Sequence, residues 1–225
     1  MDKKQIGRYA FYSFLAVSLV HLAGQIAVPG TILPEATQVL LMMALAVVLW
    51  ATAGPSRLRT IALAALFFSW LGDTVPRFVD GDAGFLAMLG FFLVSQVTYA
   101  GAFYPYRGRS ILRTPILIAP YVLSAIGLIV WCAGGAGSML PAVIAYAGVI
   151  VIMAVLATGL GAVATMGGVL FLVSDALIAL RAFADVQLGI HGFWVMATYI
   201  AAQALLAYGI VAQSYRDQGR PARSS

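Results

Sequence analysis

The sequence predicts an all-α protein, a polytopic membrane bundle of eight transmembrane helices, from its composition, its apolar runs and its segregated basic residues. Hydrophobic residues make up 62% of the 225-residue chain and charged residues only 9%. Soluble globular chains carry about 25% charged residues, so this chain is too apolar to be solvated by its own surface. Because a span and its turn use about 20 to 25 residues, we expect a single transmembrane domain over residues 1–225 and no soluble domain.

Eight apolar runs follow one another along the chain. The first comes after the charged segment Met1–Arg8, but it is a full span long and lacks a small-residue cleavage site, so we expect a retained helix. Each run must be helical, because lipid offers no water to unpaired backbone groups and the runs do not alternate as barrel strands do. The predicted spans are 9–28, 34–53, 58–76, 84–104, 115–133, 139–158, 161–181 and 192–214. The breaks between them contain Pro29-Gly30, Gly54-Pro55, Pro76-Arg77, Arg107–Pro115, Gly134–Gly137, Gly159–Gly161 and Arg181–Gly189.

The basic residues lie almost entirely on one side of these predicted spans. Only Arg77 and Arg181 fall on the side opposite the N-terminus. Since cytoplasmic loops carry the excess of Lys and Arg, we expect an integral protein of a bacterial cytoplasmic membrane with both termini cytoplasmic. The net charge of +5 is then a topology signal and does not indicate nucleic-acid binding. The basic residues on the N-terminal side are Lys3, Lys4, Arg8, Arg57, Arg59, Arg107, Arg109, Arg113, Arg216, Arg220 and Arg223.

The two halves of the chain, residues 1–110 and 111–225, share a pattern. The third span carries Asp73 with Arg77 after it, and the seventh carries Asp175 with Arg181 after it. The span that follows each acid begins with a Gly-Phe pair, has Met four residues after the Gly, and has Gln about a dozen residues on. This recurrence favours a four-helix unit used twice, with halves of parallel topology related by an axis along the membrane normal.

Asp73 and Asp175 are the residues most informative about function. Both helices rise from the cytoplasmic side, and at about 1.5 Å per residue the two acids reach similar depths in the outer half of the membrane. A charge buried in a membrane costs at least about 2.5 kcal/mol and usually faces the bundle interior or a wet cavity, which favours a functional role. The alternative for Asp73 is a salt bridge with Arg77, four residues on. The repeat predicts that the two carboxylates meet in one cavity.

Polar side chains on neighbouring spans are candidates for completing a pocket around the acids. Such groups more often join helices or anchor them at the interface, and that alternative stays open for each. Arg77 and Arg181, at the outer ends of the acidic helices, are candidates for binding a lipid phosphate, with snorkelling to the interface as the alternative. The other candidate substrate-binding residues are Ser69, Ser174, Gln96, Tyr99, Tyr199 and Gln203, with Tyr146 nearby.

The inventory of metal-binding and nucleophilic residues is small. A single cysteine, Cys132, excludes an internal disulfide and a cysteine-cluster metal site. The two histidines are far apart and cannot form a three-histidine zinc site. No Gly-x-Ser-x-Gly motif is present, which argues against serine-hydrolase chemistry. We therefore expect neither a metal nor a cofactor.

Three stretches of the sequence resemble a known family: Ser69–Asp73, Gly90–Phe103, and Phe171–Asp175 with Tyr199 and Gln203 after it. They are similar to the YhhN family, which contains the lysoplasmalogenases. These eight-helix membrane enzymes hydrolyse the vinyl ether bond of lysoplasmalogens to a fatty aldehyde and a glycerophospho-head group. The resemblance implies a lysophospholipid substrate within the membrane, with Asp73 and Asp175 as catalytic residues. Two departures are that Gln96 stands where the family commonly carries His, and Gln38 stands near the position of its Lys.

Vinyl ether hydrolysis suits two intramembrane carboxyls. Protonation of the β-carbon creates an oxocarbenium ion, which water captures as a hemiacetal that then breaks down. Burial disfavours an ionised carboxyl and two close carboxyls resist being charged together, so one acid can donate a proton while the other stays charged and stabilises the cation. We expect Asp175 to be the acid, because Arg77 favours a charged Asp73. A small-solute or proton-coupled transporter, or a non-catalytic lipid-binding protein, are the alternative functions.

Overall fold

The computed structural model describes residues 2–219, which form α-helices joined by short 3-10 turns and loops and contain no strand. The predicted all-α class is therefore confirmed. Arg220 and Arg223, which entered the prediction of orientation, lie outside the described residues, and the orientation itself stays a prediction. The α-helices are α1 Lys3–Ala27, α2 Ile32–Thr52, α3 Arg57–Thr74, α4 Gly81–Phe103, α5 Ala119–Ala136, α6 Leu140–Ala157, α7 Ala162–Phe183 and α8 His191–Gln218.

Helices α1 and α5 do not begin at the predicted residues, because of a charged segment in α1 and of prolines near the start of α5. Helix α1 begins at Lys3, well before the predicted residue 9, because the Gln5 side chain accepts a hydrogen bond from the Asp2 backbone N–H at 3.3 Å and long basic side chains can snorkel. Helix α5 begins at Ala119 and not at residue 115, because Pro115 starts a separate 3-10 turn and Pro120 occupies the first turn of the helix.

Seven helical segments within residues 2–219 are long and apolar enough to cross a membrane. One of them is the run Pro115–Leu160, whose 46 residues contain both α5 and α6. Straight, such a run would be about 70 Å long, more than twice the roughly 30 Å of a hydrocarbon core. It is not straight, because α5 and α6 pack against each other and Gly137 between them has φ of +49°. The number of spans, eight, stays a prediction.

Helix α8 forms the centre of the bundle, packing on α7 and contacting α1, α2 and α3. Its approach to α7 is close: a Cβ built on Gly167 would lie 2.9 Å from the Leu206 backbone nitrogen, and one on Gly209 would lie 2.7 Å from Ala164 Cβ. Small residues allow such approaches between membrane helices. Helix α4 pairs with α3 and packs on α6, so it connects the two halves of the chain.

Helix α5 is the most peripheral part of the bundle. Among α-helices it packs on α6 and α7, and its fully buried residues, Cys132 and Ala136, both lie near its last turn. There the helix is held tightly, since a Cβ on Gly135 would lie 1.9 Å from the Phe183 carbonyl oxygen. Its first half contains no buried residue, and residues from Pro120 onward line a cavity.

Candidate active site

Asp73 lies in the last turn of α3 and is 5% exposed. Each of its carboxylate oxygens accepts one hydrogen bond: Oδ1 from Gln38 Nε2 at 2.9 Å, and Oδ2 from the Tyr199 hydroxyl at 2.9 Å. These donors come from α2 and α8, so Asp73 ties three helices together. Two donors, one to each oxygen, suit a charged carboxylate that only accepts hydrogen bonds.

Arg77 does not form a salt bridge with the carboxylate of Asp73, so that interpretation is wrong. Its Nε donates to the Asp73 backbone carbonyl at 3.1 Å, and its Nη2 donates to Gln38 Oε1 at 2.6 Å. Its Nη1 lies 3.8 Å from a carboxylate oxygen of Glu35, the one ion pair among the described residues. The reason is local: α3 ends at Thr74 and a 3-10 turn follows, which changes the face on which Arg77 lies.

Asp175 lies in the middle of α7 and is half-buried. Its Oδ2 accepts hydrogen bonds from the Tyr146 hydroxyl at 2.6 Å and from Gln96 Nε2 at 2.8 Å. Gln96 Nε2 also donates to the Tyr146 hydroxyl at 2.7 Å, so the three groups form a closed triangle. Oδ1 accepts no hydrogen bond from any described residue, and it is not among the buried polar atoms that lack a partner. Both donors therefore bind one oxygen and leave the other accessible.

A cavity of about 530 Å³ lies between α4, α5, α6 and α7, and Asp175 is in its wall. Tyr146 lines the same cavity, so the carboxyl and its phenol donor face the space together. Most of the remaining wall is apolar. It is built from residues such as Phe85, Met88, Phe92, Leu128, Ile150, Leu172 and Phe183. An apolar space of this size with one convergent polar group is the usual form of a small-molecule site.

Phe92 separates Asp73 from this cavity. Its ring lines the cavity and packs edge-on against the ring of Tyr199, with 5.6 Å between the centroids. On its other side, a Cβ on Gly72 would lie 3.0 Å from the Phe92 ring. Asp73 is not part of the cavity wall. The two acids therefore do not share the cavity that the repeat predicted, and they belong to separate hydrogen-bond networks.

The two networks nevertheless follow one plan at the level of helices. Each acid accepts one bond from the helix before its own, which is α2 for Asp73 and α6 for Asp175. Each accepts a second bond from the last helix of the other half, which is α8 for Asp73 and α4 for Asp175. A four-helix unit used twice would produce this pattern. The repeat itself stays a prediction.

Six of the candidate substrate-binding residues bond helices together and do not line the cavity. Gln96 and Tyr199 do so through the acids, and the other four through separate contacts. Gln203 Nε2 donates to Ser69 Oγ at 2.9 Å, and the Tyr99 hydroxyl donates to Gln203 Oε1 at 2.8 Å. Ser69 also contacts Ser95 Oγ at 2.7 Å, a partner that the sequence did not single out. Ser174 donates to the Val195 carbonyl at 3.1 Å. These contacts join α3, α4, α7 and α8, as polar residues in membrane helices commonly do.

Arg181 is not among the residues that line the cavity. It is exposed on the last turn of α7, between the cavity-lining residues Leu180 and Phe183, and it has no ion pair with a described residue. Arg77 belongs to the other network, where Glu35 and Gln38 occupy its guanidinium. Of the two arginines, Arg181 is therefore the one whose helix lines the cavity and whose guanidinium has no carboxylate partner among the described residues.

The two departures from the family pattern turn out to be direct partners of the acids. Gln96 donates to Asp175 and Gln38 donates to Asp73. Both are neutral amides, so each acid is held by hydrogen bonds and not by a cation. Phe92 lies in the Gly90–Phe103 stretch that resembles the family but was not a candidate site residue. Nothing in the sequence marked Tyr121, which lines the cavity on α5, because aromatic residues are common throughout an apolar chain.

By its fold and its site, the protein is an all-helical membrane protein with a carboxyl in the wall of an apolar cavity between helices. A model of the YhhN family matches residues 35–210, well over half of the chain, and the chain belongs to that family. The matched segment contains both acids and the four residues that donate hydrogen bonds to them. Comparison with curated proteins finds no match. Comparison with solved structures also finds none.

Proposed function

We propose that this protein is a lysoplasmalogenase-like hydrolase. It would cleave the vinyl ether bond of a lysophospholipid within the membrane and release a fatty aldehyde and a glycerophospho-head group. The observation that carries the proposal is the placement of Asp175, whose unpaired Oδ1 lies at an apolar cavity of about 530 Å³. Membership of the YhhN family supports a hydrolase of this kind.

Asp175 acts as the general acid in this mechanism. Its Oδ1 carries the proton, because both hydrogen-bond donors are bound to Oδ2. The proton passes to the β-carbon of the vinyl ether, the double bond's electrons form the new C–H bond, and the ether oxygen shares the positive charge of the oxocarbenium ion. Tyr146 and Gln96 hold the carboxyl in one orientation during this transfer.

Water completes the reaction. It adds to the oxocarbenium carbon and loses a proton, which returns to the Asp175 carboxylate. The hemiacetal then separates into the aldehyde and the alcohol of the head group, so one water is consumed for each bond cleaved. Asp73 acts from behind Phe92 and Tyr199, where its negative charge stabilises the cation through an interior of low dielectric constant.

The membrane arrangement in this proposal has eight spans, with α5 and α6 as separate spans and both termini in the cytoplasm of a bacterial cell. Arg77 and Arg181 then lie at the outer surface. Arg181, which follows the cavity-lining Leu180 in the last turn of α7 and is exposed, binds the lipid phosphate as a charge-assisted hydrogen-bond donor. The hydrocarbon chain occupies the apolar cavity and the vinyl ether lies beside Asp175.

The test is aldehyde release from detergent-purified protein supplied with a lysoplasmalogen in D₂O. We expect a fatty aldehyde that carries one deuterium on carbon 2, because the transferred proton comes from a carboxyl that exchanges with solvent. A 1-acyl lysophospholipid of the same chain length is the control and should not be cleaved. Absence of aldehyde with every vinyl ether lipid, together with solute flux through proteoliposomes, would favour the transporter instead.

A further inference from the structure

A second, more open cavity of about 320 Å³ lies at the beginnings of α5 and α7, on the side of the first that the predicted orientation makes cytoplasmic. Its wall contains Ile111, Leu117, Thr158, Thr165 and Tyr121. Tyr121 also lines the main cavity. The two spaces are therefore neighbours that share one side chain, and Tyr121 stands at the boundary between them.

The two threonine hydroxyls in the wall of the second cavity are already hydrogen-bonded within the protein. The Thr158 hydroxyl donates to the Val155 carbonyl at 2.6 Å and accepts from the Ile111 backbone N–H at 3.0 Å. The Thr165 hydroxyl donates to the Gly161 carbonyl at 3.1 Å. Because these hydroxyl protons are used within the protein, the threonines suit an apolar ligand, as do Ile111 and Leu117.

The main cavity alone is too short on this side for a membrane-lipid chain. From Asp175 to Val169, the last lining residue on α7 in this direction, the helix rises about 9 Å, and on α5 the lining reaches Pro120, about 12 Å from Leu128, the residue level with Asp175. The chains of one leaflet extend about 15 Å, half of a hydrocarbon core. From Asp175 to Ala162, at the far wall of the second cavity, the rise is about 20 Å. A chain that begins at Asp175 therefore overruns the main cavity and fits within the two together.

We infer that the second cavity binds the terminal part of the substrate's hydrocarbon chain and that Tyr121 is a specificity-determining residue for chain length. The inference rests on the proposed function, because that function places the head group at Arg181 and directs the chain toward the cytoplasm. Short chains end before Tyr121. Long chains pass it and bury their last methylene groups between α5 and α7.

Photolabelling tests the binding of the chain independently of vinyl ether hydrolysis. The probe is a 1-O-alkyl lysophospholipid, whose saturated ether has no vinyl group to protonate, with a diazirine at the end of a long chain. After irradiation of the purified protein we expect adducts on the partly buried Ile111 or Thr165. Adducts confined to lipid-facing residues such as Leu123, which is 67% exposed, would overturn the inference.

Chain selectivity is tested with Thr165→Phe, which fills the second cavity, and Met166→Phe, its matched control on the lipid-facing side of α7. For long alkenyl chains we expect Thr165→Phe to lower kcat/KM by about fourfold for each methylene it displaces, the usual value for burying one CH₂. Short chains should be unaffected, as should every chain with Met166→Phe. An equal effect of Thr165→Phe on all chain lengths would contradict the inference.

The two experiments separate this inference from the proposed function. Photolabelling of the second cavity without aldehyde release would show that the chain site exists and that the hydrolase proposal fails. Aldehyde release with photolabelling only of lipid-facing residues would keep the hydrolase and remove the chain site. Tyr121→Ala should raise kcat/KM for the longest chains relative to Tyr121→Phe, because removing the ring opens the boundary between the two cavities.

Discussion

At the scale of single residues, the two acids differ in how their oxygens are used. Asp73 accepts one hydrogen bond on each oxygen, whereas Asp175 accepts two on Oδ2 and leaves Oδ1 open. In the proposed mechanism this asymmetry is the reason for giving the proton to Asp175 and the charge to Asp73. The sequence reached the same assignment for a different reason, a nearby Arg77, which the structure instead pairs with Glu35.

The Tyr146 hydroxyl sets the orientation of the Asp175 carboxyl. Tyr146→Phe removes the 2.6 Å hydrogen bond and leaves the ring in place. The carboxyl becomes a charged carboxylate as it gives up its proton, and a hydrogen bond to a charged group is worth about 1.5 to 3 kcal/mol, so we expect kcat to fall roughly 10- to 100-fold in a steady-state aldehyde assay. Tyr99→Phe is the matched control, because that buried tyrosine bonds Gln203 away from the cavity. Equal losses of kcat in both variants would argue for a general packing effect.

The sequence predicted the polar members of the site better than their partners. Asp73, Asp175, Gln96 and Tyr146 stood out because polar side chains are rare in apolar runs. The role of Phe92 as a wall could not be predicted, since nothing in an apolar run distinguishes a wall residue from one that faces lipid. The pairing of Arg77 was wrong because spacing alone does not show where an α-helix gives way to a 3-10 turn.

At the scale of helices, α5 is attached to the bundle mainly at one end. Its buried residues lie near its last turn, and Gly135 contacts the backbone of Phe183 there. Hydropathy located this helix and the others, because lipid imposes its length on any span. Hydropathy did not show which helix would be peripheral, since a lipid-facing side and a cavity-facing side are equally apolar.

Gly134 and Gly135 provide a matched pair of substitutions on α5. Alanine at Gly134 meets no atom within 4 Å and should raise stability slightly, because Ala is favoured over Gly in a helix by about 0.5 to 1 kcal/mol. Alanine at Gly135 would place Cβ 1.9 Å from the Phe183 carbonyl oxygen, so we expect a lower Tm and weaker lipid binding. Thermal unfolding in detergent measures both. A similar Tm for the two variants would mean that the end of α5 is not held as described.

At the scale of the whole molecule, the hydrogen-bond plan joins the two halves through both acids. The sequence predicted the helical class and the approximate spans from composition and hydropathy. It also predicted a shared cavity for the acids. That prediction was wrong, because Phe92 and Tyr199 fill the space between Asp73 and the cavity. Side-chain packing between distant helices is not encoded in the periodicity of any one of them.

The eight-span topology is tested by labelling introduced cysteines in cells with a membrane-impermeant maleimide. In a Cys132→Ala background, we expect Ser138→Cys and Gln187→Cys to react from outside, and Arg109→Cys to react only after permeabilisation. All three positions are exposed in the structure. Because a single crossing by Pro115–Leu160 would move residue 187 to the cytoplasm, protection of Gln187→Cys in intact cells would refute eight spans.

The role of Asp175 as general acid is tested by the rate at which purified Asp175→Asn releases aldehyde from a lysoplasmalogen. A general acid contributes about 10²- to 10⁴-fold to the rate, so we expect the rate of Asp175→Asn to be lower by that factor. We expect a smaller loss of rate for Asp73→Asn and none for Asp217→Asn. The Asp217 carboxylate accepts a hydrogen bond from Tyr106 at the other end of the bundle. A wild-type rate in Asp175→Asn would contradict the account.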